Sequence, residues 1–392
     1  MANGEWEMDN AIVHFPLSIS IVLRRRPAML TADGCRKRRE RLWQQLDPPP
    51  ASDYLLLGDP LHLIYFANYW PDPISLGADI HGYLLVRKDG HGKLIYPDRA
   101  PKSVQQAYAD EKRVVPWYDG QSPAHGPRQL AVLEQVNPVR GGLRVHDRPG
   151  DPLAAQLIRT IADMRRQKDA DEIAALRSCM RATDAGHAWA RANIRPGMTE
   201  LDVYAGVSAA CITTVGRPVV VYGDFAVSPG PERRGGAPTD RILNDGDMFI
   251  LDYSVVFQGY RSDFTNTLVV GKKPTADQQR LMDLSLQAMA AGEKELRAGA
   301  ACRTVYDAVR GVFDKAGVGD SFPHHAGHGL GLGHPEDPYL VRHATQTLRA
   351  GDVVTLEPGL YVAGVGGLRI EHNYLVIEGG FERLSNHTIA LT

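Results

Sequence analysis

Four carboxylic acids sit where a folded chain can least tolerate them. Asp252 lies at the centre of an apolar run, FILDYSVV, and Asp263 follows in the returning segment YRSDFTNTLVV. Glu357 ends the apolar run VVTLE just before a Pro-Gly turn, and Glu371 lies inside GGLRIEHNYLVI. A buried, unpaired carboxylate costs several kcal/mol, so each acid needs a partner. Arg369 can neutralise one of them but not four. The first two acids are read as a hairpin pair. A turn about Phe257-Gln258 places Asp252 opposite Asp263, with Cβ atoms roughly 4.5–5.5 Å apart. Like charges at that separation repel, and a cation between them turns the defect into a site. Taken alone, the hairpin is equally read as two independent surface aspartates.

Nitrogen donors come from AGHGLGLGH, where His328 and His334 alternate with glycines. Glycines let backbone approach a bound group closely; a flexible loop is the plainer reading of the same residues. Asp252, Asp263, His328, Glu357 and Glu371 together form an oxygen-rich donor set with a single nitrogen. That composition suits a pair of Mn, Co, Fe or Zn ions better than a thiolate-bound structural zinc. Two metals ~3.5–4 Å apart can share bridging carboxylates, lower the pKa of a bridging water and polarise a carbonyl.

The chain that must position these groups has 392 residues, which favours two domains. Its hydrophobic content of 43% and charged content of 23% are ordinary for a globular protein. A net charge of -2 gives no electrostatic case for nucleic acid or an anionic membrane. The four cysteines (Cys35, Cys179, Cys211, Cys302) lack CxxC spacing, which fits a reducing cytoplasm and argues against a disulfide framework. Residues 1–28 include the apolar stretch Ala11 to Leu23, which is too short for a spanning helix and has acids before it and arginines after it. We expect an N-terminal extension without regular order, or sequence upstream of a start at Met29.

Residues 29–150 read as an α/β N-terminal domain. It opens with a basic amphipathic helix over GCRKRRERLWQQL. Strands are expected at DYLLLG, LIYFANYW, HGYLLVRKDG, GKLIYPD and LRVHD, with a helix around Lys102 to Glu111. The histidines of this half are isolated and carry no ligand spacing. Residues 151–392 follow as an α+β domain: helical from about Leu153 to Ala192, then a helix capped by Thr199, strands and the hairpin. Helices at Thr275 to Ala298 and Thr304 to Ala316 precede the glycine-rich loops and final strands. The helix-helix-strand order on either side of Gly271 suggests an internal duplication.

The segments LDYSVVFQGYRSDFTNT, GHGLGLGHPEDP, TLEPGLY and GGLRIE resemble the methionine aminopeptidase/prolidase/aminopeptidase P metallopeptidases with the pita-bread fold. The likeness covers roughly Asp151 to Thr392, and the α/β domain before it points to the prolidase and aminopeptidase P branch. This resemblance implies two divalent metal ions, Mn first, with Asp263 and Glu371 bridging, Asp252 on one ion, and His328 with Glu357 on the other. It implies attack by a bridging hydroxide on an Xaa-Pro peptide bond, Glu357 as proton shuttle and His334 near the scissile carbonyl. A small peptide substrate and a homodimer are expected on the same ground, and a cytoplasmic location from the cysteine pattern.

The sequence also departs from that pattern. The family's peptidases usually carry a further histidine shortly before the first metal aspartate, where this chain reads SPGPERRGGAPTD. Arg233 and Arg234 stand there instead. Arginine can hold a carboxylate or an oxyanion but cannot exchange protons near neutrality. Arg233, Arg234 and Arg369 are therefore the candidate substrate-binding cations. His372-Asn373 follows Glu371 where the family often has an acid, and Pro335 follows His334 directly. The alternatives are a metal-dependent enzyme acting on a small organic molecule, or a catalytically silent pita-bread binding protein.

Overall fold

A computed structural model describes residues 29–70, 82–99, 102–136, 145–228 and 235–392. The N-terminal extension expected over residues 1–28 lies outside them. Helix α1 (Ala32–Gln45) starts at Thr31, whose side chain caps the Gly34 amide. Four strands follow as one sheet in chain order: β1 (Tyr54–Leu57), β2 (Tyr83–Arg87), β3 (Gly92–Pro97) and β4 (Glu111–Val115). Between the first two, Pro60–Ala67 forms helix α2. LIYFANYW was expected as a strand, but Asp59 caps its start and Pro60 presets the first turn, so the apolar run winds as a helix. The helix expected around Lys102 to Glu111 is only a 3₁₀ turn, Lys102–Gln105, leading into β4. The described part of LRVHD is a turn rather than a strand, and α3 (Arg128–Val136) was not anticipated.

Helices α4 (Ala154–Arg166) and α5 (Ala170–Asn193) are separated by a corner at residues 167–169. There Asp169 and Glu172 close a capping box that starts α5. The Thr199–Asp202 box does the same for α6 (Glu200–Val215). The next sheet holds β5 (Val220–Val227), β6 (Met248–Phe257), β7 (Tyr260–Arg261) and β8 (Phe264–Val269), with β6 central.

A second helix pair, α7 (Ala276–Glu293) and α8 (Cys302–Lys315), precedes β9 (Gly327–Gly329), β10 (Glu336–Leu340) and β11 (Val353–Leu356). Strands β12 (Gly359–Val362) and β13 (Gly366–Arg369) pair as a ribbon. Strands β14 (His372–Ile377) and β15 (Gly380–Arg383) complete a five-stranded sheet in the order β10-β9-β11-β14-β15. Two helices followed by an antiparallel sheet thus occur twice in succession.

The hairpin register differs from expectation. Gln258 (φ 53) and Gly259 (φ 85) both take left-handed backbone, the requirement of a two-residue type I′ turn. The turn is therefore centred on Gln258-Gly259, and bulky Phe257 remains in the strand. Asp252 pairs with Thr265, and Asp263 lies diagonal to it. A two-residue shift preserves the face, so both acids still project to the same side.

Candidate metal centre

Asp252 sits mid-strand on β6 because its neighbours Leu251 and Tyr253 are fully buried on the opposite face. Facing it across the other edge of β6 is a second acid, Asp224 of β5. Arg369, at the end of β13, resolves that opposition. Its guanidinium donates to Asp252 Oδ2 at 2.8 Å and to Asp224 Oδ2 at 2.7 Å, and to the Tyr361 hydroxyl at 2.7 Å. The structure thus places Arg369 on two carboxylates at the cavity wall. Arg233 and Arg234 lie outside the described residues.

Asp252, Asp263 and Glu371 each offer an oxygen within 4.8 Å of the others. Glu371 Oε2 accepts from Thr265 Oγ1 at 2.7 Å, while its Oε1 is buried without a hydrogen-bond partner. Burial, then the charges of Asp263, Glu357 and Asp252, push the Glu371 carboxyl well above the usual range. Burial likewise pushes Asp252 up to about 7, against the opposing pull of Arg369. Three crowded acids with an orphaned oxygen are the donor chemistry of a hard divalent cation, whose charge relieves both burial and repulsion. The residues present fit such an ion.

On the adjoining wall, Gly327 allows β9 to run against β11, where any Cβ would meet the Thr355 carbonyl at 2.1 Å. That contact brings His328 beside Glu357. His328 donates from Nδ1 to the Gly329 carbonyl at 3.0 Å, which leaves Nε2 as the lone-pair nitrogen. Nε2 lies 3.5 Å from Asp263 Oδ2 and 3.5 Å from Glu357 Oε1. Burial opposes ionisation of Glu357, but the neighbouring His325, through charge and hydrogen bond, outweighs it and holds the carboxyl below the usual range. His334 contacts Asp263 Oδ2 through Nε2 at 2.6 Å.

Asp252, Asp263, His328, His334, Glu357 and Arg369, but not Glu371, line one open cavity of about 340 Å³, together with Tyr222, Asp224, His324 and His325. The structure thus brings Asp252, Asp263, His328, His334, Glu357 and Arg369 to one site, with Glu371 beneath it. Sequence reasoning missed Asp224, His324 and His325. The His-His pair three residues before His328 was a visible signal for the last two. Asp224 was legible only as one acid in an otherwise apolar strand.

Comparison with known proteins agrees in extent as well as kind. The model of metallopeptidase family M24 matches residues 174–378. An uncharacterized peptidase of Staphylococcus saprophyticus is 28% identical over 365 residues, covering 89% of this chain and 99% of that protein. The prolidase from Pyrococcus horikoshii superposes with a TM-score of 0.73 at 21% identity, over 91% of this chain and 99% of its own. The dipeptidase PepE from Mycobacterium ulcerans gives 0.71 at 25% identity, over 93% and 99%. The fold is the pita-bread fold, with an α/β domain before it.

Proposed function

This chain belongs to metallopeptidase family M24, and from that membership we propose a dinuclear metal-dependent hydrolase that cleaves Xaa-Pro peptide bonds, as a dipeptidase or an aminopeptidase P-like enzyme. The observation that carries the reading is the convergence of Asp252, Asp263, His328 and Glu357 at one cavity, with an oxygen of Glu371 within 4.8 Å of the two aspartates. The Xaa-Pro assignment draws on likeness to a prolidase over both halves of the chain. Asp263 and Glu371 are assigned to both ions, Asp252 to one, and His328 with Glu357 to the other, with Mn as the expected metal. Bound there, divalent ions polarise a carbonyl and bring the pKa of water toward neutrality.

The chain's own groups do the remaining work. Arg369 fixes Asp252 and Asp224 in place and neutralises their mutual repulsion. Glu357 takes the proton of the attacking water at Oε1 and passes it to the leaving nitrogen. His334, half-open to the cavity, donates from Nε2 to the carbonyl oxygen under attack. Arg233 and Arg234 are assigned to a substrate carboxylate. A homodimer, checked by sedimentation equilibrium, and a cytoplasmic location, checked by cell fractionation, complete the proposal.

The test is hydrolysis of pooled Xaa-Pro dipeptides and Xaa-Pro-Yaa tripeptides by Mn-reconstituted protein, followed by mass spectrometry, with Asp263→Ala as control. Metal-dependent cleavage that disappears in the variant supports the reading and shows the preferred length. Stoichiometric metal without cleavage of any peptide sinks it.

A further inference from the structure

Two halves of the candidate centre differ in chemistry. The half formed by Asp252, Asp263 and Glu371 offers carboxylate oxygens alone. Across Asp263, the other half holds a nitrogen beyond the one supplied by His328. His325 Nε2 lies 3.0 Å from Glu357 Oε1, the same oxygen that His328 Nε2 approaches at 3.5 Å and Thr355 Oγ1 contacts at 3.0 Å. His325, His328 and Glu357 each place one donor atom within 4.8 Å of the other two.

The two imidazoles reach that point from one short stretch of chain. His325 and His328 stand edge to face, ring centroids 5.3 Å apart and planes at 78°, so neither ring blocks the other's nitrogen. His324 donates from Nδ1 to the His325 carbonyl at 2.8 Å and steadies the backbone from which His325 projects. His325 is part-exposed and lines the cavity wall, so a hydrogen bond to Glu357 is not forced on it by burial.

We propose that His325 is a sixth protein ligand of the metal centre, giving one ion two imidazoles beside its carboxylates while the other keeps carboxylates only. The inference rests on the dinuclear reading above and goes past its five ligands. Imidazole suits Zn, Fe, Ni and Cu, whereas carboxylate suits Mg, Ca and Mn. The imidazole-rich half therefore fills first and retains Co or Zn, and the carboxylate half exchanges Mn freely.

The competing role for His325 is simple hydrogen bonding to Glu357, and His325→Gln separates the two. Glutamine keeps an N–H donor near the same place but is a poor ligand. The full-length chain, stripped of metal, is titrated with Co(II) against a competing chelator, reading bound cobalt by elemental analysis and the visible absorption of each equivalent. The wild-type protein should bind two equivalents with separable affinities. In His325→Gln the tighter site should weaken by roughly tenfold or more, with its absorption changed and the weaker site unmoved. His325→Glu, which restores a ligating atom, should recover much of that affinity with a different spectrum. Circular dichroism of both variants controls for folding. An unaltered first-equivalent affinity and spectrum in His325→Gln overturns the sixth ligand and leaves the dinuclear reading standing. Failure of the wild-type chain to bind cobalt overturns both.

Discussion

Asn373 holds Asp263 by both of its backbone groups. Its Oδ1 accepts from the Asp263 amide at 3.2 Å, and its Nδ2 donates to the Asp263 carbonyl. Asn373, in the His372-Asn373 pair that follows Glu371 where an acid was expected, therefore fixes Asp263 from behind, and Thr265 supports Glu371 itself. Asn373→Ala removes both bonds while leaving every ligand present. Metal affinity measured by chelator competition should fall roughly 10–100-fold, the usual effect of losing an outer-shell partner. An unchanged affinity would show that the β8 backbone is held by the sheet alone.

The metal-free protein should become less stable as pH rises. Glu371 and Asp252 both have carboxyls raised by burial, Asp252 to about 7. A carboxyl raised in the folded state holds its proton there while the unfolded chain has lost it, so stability falls with rising pH between those limits. The window runs from the ordinary carboxylate value, ~4, up through about 7 for Asp252. Chelator-stripped protein should show a falling Tm across that window, and Glu371→Gln should flatten the fall. Adding Mn at a thousandfold excess over Kd should stabilise by ~4 kcal/mol.

Asp147 predicts the opposite slope at acid pH. Burial pushes its carboxyl up, but His62 and the amides of Asp59 and Gly58 outweigh burial and hold it below the ordinary range. A depressed carboxyl contributes stability above its ordinary value, ~3.9, and that contribution disappears as pH falls through the lower folded value. Asp147→Asn should be less stable at neutral pH and should lose part of the acid-unfolding slope. Urea melts at pH 7 and in steps from pH 4 to pH 2 measure both effects.

Arg166 and Asp352 form a buried pair joining α4 to the start of β11. Arg166 donates from Nε at 3.0 Å and from Nη2 at 2.6 Å. Arg166→Ala strands a buried carboxylate and should destabilise by ~3–5 kcal/mol. The double change Arg166→Met with Asp352→Leu should recover much of that loss, because it leaves no orphaned charge. Denaturant titration of the single and double variants decides between these outcomes.

What the sequence made legible was the list of acids with no apolar excuse, and the order in which they occur. Four costly carboxylates and a histidine could be picked out one by one because burial penalties are local and read from flanking residues. Register was harder. Placing the turn one residue too early made Asp263 the partner of Asp252, when Thr265 is its partner. The cue was Gly259, the residue best suited to the second turn position. Asp224 escaped because the pairing that sets it opposite Asp252 joins segments nearly thirty residues apart, and no local pattern encodes it. The strand expected at LIYFANYW failed for another reason. A short apolar run has no period of its own, and the Asp59-Pro60 start decided its conformation.

Arg38 of α1 is wholly buried, yet its guanidinium reaches across the expected boundary near Asp151 to Asp169 and Asp171 at the start of α5. The same apolar cluster runs from Leu42 and Phe66 through Met164 and Leu176 to Leu384. The chain's two halves are therefore separable on paper but not in inheritance. A gene fragment beginning at residue 151 would encode a helix whose first-turn acids have lost their cation and whose inner face has lost its cover. Exchange of the leading segment between relatives would succeed only when the recipient surface travelled with it.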